Sequence, residues 1–299
     1  MQVYLEYFSL PSEDTEFSFF TSQRAQMTCY TTRYPFGLFK GRVPALSFSP
    51  VTILYGGNGS GKTTILNAIA QKLKLARNAP FNHSAFFDQF VEYCTAAFAE
   101  DECGDTIAPP SGSRFIASDD VFQMILKRRR KNEGIDRERE MEIKDYWQKK
   151  NGSCRMNSLD DLPLFSDYCD AHRKTPSRFV AKRMEANVKT RSNGESAFQY
   201  FTETIGTDCL YLLDEPENSL APARQIELVR FLEQSVLCND QFIIATHSPF
   251  LLSIRGARIY DLDSDPVVSR EWQELENMVS AIPVMGDRYN AEQQKQVGG

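Results

Sequence analysis

The run Gly56-Gly57-Asn58-Gly59-Ser60-Gly61-Lys62-Thr63, followed by Thr64, constrains this chain more than any other feature. Its spacing is G-x-x-x-x-G-K-[ST]. Just before it stands Val51-Thr52-Ile53-Leu54-Tyr55, a short apolar, β-branched run that predicts a buried strand. Just after it, Leu66, Ile69, Ala70 and Leu73 fall at i, i+3, i+4 and i+7, one face of a helix. A glycine loop in that setting lets backbone N–H groups close around phosphates, and the helix N-terminus adds its positive pole. Lys62 is placed to reach the β and γ phosphates, and the Thr63 hydroxyl to ligate Mg²⁺. The pattern therefore predicts a site for ATP with Mg²⁺. A chance glycine-rich turn would not come with both flanks.

Three later segments belong to the same chemistry. Leu210-Tyr211-Leu212-Leu213 reads as a strand ending in Asp214 and Glu215. Asp214 suits the Mg²⁺ shell, and Glu215 suits the orientation or deprotonation of an attacking water. Alone this would be an ordinary acidic turn; the upstream loop gives it weight. Ala245-Thr246-His247-Ser248-Pro249 again closes an apolar strand, Gln241–Thr246. There His247 can contact the γ-phosphate or the water held by Glu215, although a lone strand-end histidine is more often structural. Between those strands, Pro222 to Val236 predicts a helix, with Pro in the first turn and Leu228 and Leu232 on one face. Strand, helix, strand implies a right-handed parallel unit. In Arg191-Ser192-Asn193-Gly194-Glu195-Ser196, Ser192 and Glu195 form a capping box, which is both a helix start and a good anion site.

The rest of the sequence sets the frame. With 299 residues, 41% hydrophobic and 25% charged, the length suits one large α/β domain or two smaller ones. No apolar run approaches the ~18–20 residues needed to cross a bilayer, and MQVYLEYFSL lacks a basic leader region. The expectation is a cytoplasmic protein without membrane insertion. The seven cysteines have no metal-ligand spacing and read as reduced thiols. A net charge of −6 argues against a dedicated duplex-DNA binder. Residues 1–50 predict a small antiparallel β region, with alternating runs at Val3–Tyr7 and Ala45–Phe48. Residues 75–190 read as a mostly helical insertion. One helix would begin at Ser118-Asp119-Asp120, end with the basic run Lys127–Lys131, and stop at Asn132 and Gly134. Gly256–Asp263 predicts a further strand, and the segment 281–299 a polar, disordered tail.

Taken in order, GGNGSGKTT, SNGES, LLDEPENSLAP and ATHSP resemble the nucleotide-binding head of ABC-type ATPases. The likeness is to the small stand-alone bacterial ATPase group related to the RecF, Rad50 and SMC heads, and it spans roughly residues 45–265. The resemblance implies an α/β P-loop fold with a mostly parallel sheet, an N-terminal antiparallel region and an inserted helical lid. Residues 1–280 would be one ATPase domain, with 1–74 and 191–280 as its core and 75–190 as the lid. It implies that Ser192, Asn193, Gly194 and Glu195 are the signature motif, meeting the γ-phosphate of ATP on an opposite protomer. It further implies Asp214 and Glu215 as Walker B and base, Asn218–Ala221 as the D-loop, and His247 as the switch histidine. SNGES departs from the SGGQ of transporters. The glutamine that normally contacts Mg²⁺ has no clear counterpart; Gln123 is the candidate. For adenine stacking, Phe36 and Phe39 are candidates, and Tyr30 less so.

Three settings fit these residues. One is an ATP-induced homodimer that drives or gates a partner protein, such as a nuclease or toxin in a bacterial defence module. The 130 residues from Lys62 to Ser192 leave no room for a long coiled-coil arm, and no sustained heptads occur. A transporter ATPase subunit would carry the same head chemistry. A nucleic-acid processing factor is allowed but not indicated. Its support is residues 127–150, with ten Lys or Arg against six Asp or Glu, although such charge runs are usually a solvated helix end stabilised by its dipole.

Overall fold

The structure is a computed structural model that describes residues 2–155, 158–187, 193–275 and 278–279. Its strands are β1 (Leu5–Ser9), β2 (Leu46–Ser47), β3 (Val51–Tyr55), β4 (Thr95–Phe98), β5 (Arg114–Ala117), β6 (Leu210–Asp214), β7 (Gln241–Thr246), β8 (Arg258–Asp261) and β9 (Val268–Arg270). The helices are α1 (Glu13–Thr21), α2 (Gln23–Gln26), α3 (Lys62–Leu73), α4 (Phe87–Tyr93), α5 (Ser118–Asn151), α6 (Leu162–Arg173), α7 (Pro176–Ala181), α8 (Asn193–Thr204), α9 (Pro222–Val236) and α10 (Pro249–Leu252). The chain divides into two compact units, one of Met1–Val121 with Asn193–Gly299, the other Phe122–Ser192.

The first unit is built on a six-stranded sheet in the order β5-β6-β7-β3-β8-β9. All its pairings are parallel except that of β9 with β8. Every residue of β3 and β7 is buried, as are Leu210 to Leu213 of β6. Strands covered on both faces are largely apolar, with Thr52, Gln241 and Thr246 as the buried polar residues here, which is why they stand out as near-continuous runs rather than alternating ones. Helix α3 buries Ile65, Leu66, Ala68, Ile69 and Ala70 against this sheet. At about 1.5–3 kcal/mol for each large aliphatic side chain, that face fixes the helix and the loop that opens it.

A second sheet of this unit is antiparallel, in the order β2-β1-β4. The antiparallel region expected in residues 1–50 is present, but α1 and α2 interrupt it. Ser12 caps α1 by accepting from Thr15 N, and Ser22 caps α2 by accepting from Ala25 N. The expected insertion at 75–190 differs in its first third. Residues 95–98 form β4, and 114–117 form β5 at the edge of the main sheet. Neither four-residue run is long enough to show its period beside neighbouring loops.

The second unit holds most of α5 together with α6 and α7. Helix α5 is not a short helix ending at Lys127–Lys131, as its sequence suggested; it continues through Asn132 and Gly134 to Asn151. A helical glycine costs only about 1 kcal/mol. The Lys, Arg and Glu residues around it are good helix formers, and Ile135 and Tyr146 are buried on the helix beyond it. Within this unit Tyr146, Ala171, Phe179 and Val180 form a small core. The segment 281–299 lies outside the described residues.

Candidate nucleotide site

The glycine loop leaves β3 and enters α3 at Lys62. Three of its glycines have backbones that side chains rarely tolerate, Gly56 at φ 156°, Gly59 at φ 83° and Gly61 at φ 101°. A Cβ on Gly61 would lie 2.5 Å from the ring of Phe39. The loop therefore closes only with glycine there. Lys62 is almost wholly buried, and its Nζ donates to the carbonyls of Gly56 at 2.7 Å and Gly57 at 2.9 Å. These are the carbonyls of the loop itself, so the charge is held over the loop.

Parallel pairing brings the later motifs to the same edge. Asp214 ends β6 opposite Ala245 of β7 and Ala117 of β5. The Thr63 hydroxyl donates to Asp214 Oδ1 at 3.0 Å. A hydroxyl and a carboxylate side by side are two hard oxygen donors, the kind Mg²⁺ takes while keeping waters and phosphate oxygens in its other positions. No cluster of three or more His, Cys, Asp or Glu among the described residues could hold a metal by itself. The donor set fits Mg²⁺ carried with a nucleotide. Burial pushes the Asp214 carboxyl from its ordinary 3.8 up to about 6; the Thr63 hydrogen bond and Lys62 pull it down, while Glu215 and Glu217 push it up.

Glu215 is the next residue, in the left-handed region at φ 47°, a strained conformation for a glutamate. Its N–H donates to Ala245 O at 2.9 Å, and its Oε2 accepts from Asn218 Nδ2 at 2.8 Å. The strained turn sends Glu215 back into a cavity of about 290 Å³ that is also lined by Tyr34, Leu38, Gly59 and Lys62. At the end of β7, His247 has its ring about half exposed, with Nδ1 3.6 Å from Glu217 Oε1.

Lys62, Thr63, Asp214 and Glu215 meet in one unit, with His247 on the neighbouring strand end. Ser192 lies outside the described residues; Asn193, Gly194 and Glu195 open α8, and Glu195 pairs with Arg224 at 3.7 Å. Gln123 belongs to the second unit and is exposed on α5. Ser118 and Asp119, directly after β5, take the place beside Asp214, and Asp119 lines a second cavity of about 480 Å³ with Thr63 and Asp214. Arg77 lines it too, its Nη1 donating to Asn67 Oδ1 at 2.8 Å and its guanidinium lying over Phe81 and Phe115. The apolar Phe115-Ile116-Ala117 before Ser118 was the available signal for Asp119, masked by its reading as a helix cap alone.

Phe36 and Phe39 are core residues, Phe36 stacked on Phe19 at 3.7 Å. Tyr30 is exposed and packs edge-on to Phe86. Tyr34 and Leu38, from the same segment, line the loop's cavity instead, and the Tyr34 hydroxyl lies 2.9 Å from Thr64 Oγ1.

A family model described as "AAA domain, putative AbiEii toxin, Type IV TA system" matches residues 170–253, and another described as "AAA domain" matches 36–83. The chain resembles an ATPase head of the ABC and AAA kind. Its P-loop and ATP-binding features are those of that group, on an α/β fold with a mostly parallel sheet. Among solved structures, an SMC head domain from Thermotoga maritima is 15% identical, covering 91% of this chain and 100% of its own, with a TM-score of 0.40. An Smc head bound to the C-terminal domain of ScpA, derived from Pyrococcus furiosus, is 14% identical, with coverages of 80% and 95% and a TM-score of 0.39. A nucleotide-free ATP-binding cassette from an ABC transporter is 14% identical, with coverages of 81% and 89% and a TM-score of 0.37. No curated protein matches the chain.

Proposed function

We propose that this chain binds ATP with Mg²⁺ at the carboxyl edge of its parallel sheet and hydrolyses it. The observation that carries the proposal is the Thr63–Asp214 pair beside buried Lys62, with Glu215 turned into the same cavity. Lys62 exchanges the Gly56 and Gly57 carbonyls for phosphate oxygens. Thr63 and Asp214 hold Mg²⁺, which neutralises phosphate charge when bound. Glu215 orients the attacking water and takes its proton.

Catalysis in this reading needs two protomers. The start of α8, at Ser192–Glu195, closes on the nucleotide of the opposite protomer, so ATP is part of the interface. The motion then gates a partner protein. The match to a model of the AbiEii type supports a toxin–antitoxin setting, with an effector such as a nuclease or toxin as the partner. A nucleic-acid role gains less: within the second unit Lys131 of the basic run is paired with Glu185 at 3.3 Å, and Arg128 and Arg129 have partners of their own. Among the described residues no helix is long and apolar enough to cross a membrane.

The test uses Glu215→Gln, which keeps the site's shape but loses the base. Hydrolysis should slow by roughly 10²-fold or more, while MgATP still binds. The variant should dimerise in MgATP and dissociate in MgADP by light scattering, and adding Ser192→Arg should abolish that dimer without abolishing ATP binding. Wild-type turnover in Glu215→Gln removes the base assignment. An oligomer indifferent to nucleotide removes the two-protomer reading.

A further inference from the structure

Glu217 is an acid at the nucleotide edge that the chemistry above leaves without a task. It is 6% exposed. Its Oε1 accepts from the Thr246 hydroxyl at 2.5 Å and from the His247 backbone N–H at 3.0 Å. Its Oε2 is buried and has no hydrogen-bond partner. Tying down the turn after β7 would need only one neutral acceptor, and a glutamine would supply it. A buried carboxylate with a free oxygen is a costly way to do that work, because an ionised group taken out of water needs a charged or hydrogen-bonding counterpart for each side. The basic side chain the structure places beside it among the described residues is His247, whose Nδ1 stands 3.6 Å from Oε1. Asp214, Glu215 and Lys62 are the other charged groups at this edge, and no hydrogen bond joins any of them to the His247 ring among the described residues.

We infer that Glu217 is the positioning residue of His247: it takes the ring's Nδ1–H, so that Nε2 is the nitrogen offered to the nucleotide. A carboxylate on one ring nitrogen fixes the tautomer and the ring plane, and it stabilises the positive charge when the other nitrogen takes up a proton. Nε2 then presents a lone pair to water, or an N–H to a phosphate oxygen, without the ring having to turn. The approach from 3.6 Å to hydrogen-bonding distance needs only a small ring rotation, which the half-exposed side chain allows. This inference rests on the nucleotide reading of the site, but one half of its test does not.

That half is spectroscopic and uses the full chain without nucleotide. Ring-nitrogen NMR spectra should show neutral His247 as the Nδ1–H tautomer; with three histidines in the chain, the signals are readily separated. In Glu217→Gln, which keeps an acceptor for Thr246 and the His247 N–H, the ring should move to the Nε2–H form that free imidazoles favour. The other half is kinetic. Glu217→Gln should lower kcat by roughly 10- to 100-fold at unchanged KM for ATP, the scale for losing an orienting partner. In a His247→Ala background it should cause no further loss. A wild-type ring already in the Nε2–H form overturns the inference without any variant having to fold. Multiplying losses in the double variant also overturn it, since Glu217 would then act by another route. Wild-type turnover in His247→Ala would instead sink the nucleotide role of the histidine, whatever tautomer it holds.

Discussion

Asp214 and Asp240 lie at opposite ends of neighbouring strands, and burial drives both carboxyls from an ordinary 3.8 up to about 6. Their surroundings are otherwise unlike. Asp214, at the carboxyl end of β6, has the Thr63 hydroxyl on it, Lys62 pulling it down and an open cavity beside it. Asp240, just before β7, is fully buried; its Oδ1 accepts from Cys209 N, Asp208 repels it, and its Oδ2 has no partner. A perturbed carboxyl is therefore not enough to mark a functional site. The cation, the hydroxyl and the open space make the difference, and parallel strands gather these at their carboxyl ends.

The largest expected effect tests that gathering. Lys62→Ala removes the cation at the Asp214 end and should weaken ATP binding by roughly 100-fold, the upper range for a charged hydrogen bond. Tight ATP binding by this variant in calorimetry would leave the two ends of the sheet equivalent and break the comparison.

Next in size is Asp214→Asn, which should weaken MgATP binding about tenfold while raising thermal stability. The wild type should behave likewise on acidification. Mg²⁺ needs the ionised carboxylate, so MgATP affinity should fall as the pH drops through about 6. An affinity flat from neutral pH to well below that value would remove Asp214 from the metal shell.

The smallest effect belongs to Asp240→Asn. With the folded carboxyl raised above its unfolded value, the folded state binds the proton more tightly. Its penalty on stability grows as the pH rises from near 4 to 6 and is full above that. Removing the charge should stabilise the protein by roughly 1 kcal/mol at neutral pH, with unchanged ATPase turnover. Denaturant titrations of both asparagine variants, read beside their turnover, sharpen the contrast: each gains stability, and only Asp214→Asn gives up function.

Much of this architecture is written in short stretches of sequence. The glycine loop, the runs that become β3, β6 and β7, and helix α9 from Pro222 to Val236 all depend on neighbours along the chain, so their periods and caps reveal them. The same holds for Lys62, Thr63, Asp214 and Glu215, each fixed by its place at the end of a legible strand or the start of a legible helix. Tertiary structure alone decided the rest. Burial of Phe36 and Phe39, and the opening of the cavity onto Tyr34 and Leu38, depend on which face of one aromatic segment meets the core. Asp119 came beside Asp214 because β5 pairs with a strand almost 100 residues later in the chain. Glu217 met His247 because β6 and β7 lie in register, Asp214 opposite Ala245. Helix α5 outran its stop signal because packing along its length outweighed one glycine. Local propensity acts over a turn or two and is worth tenths of a kcal/mol per residue, whereas register and burial join distant segments at several times that energy.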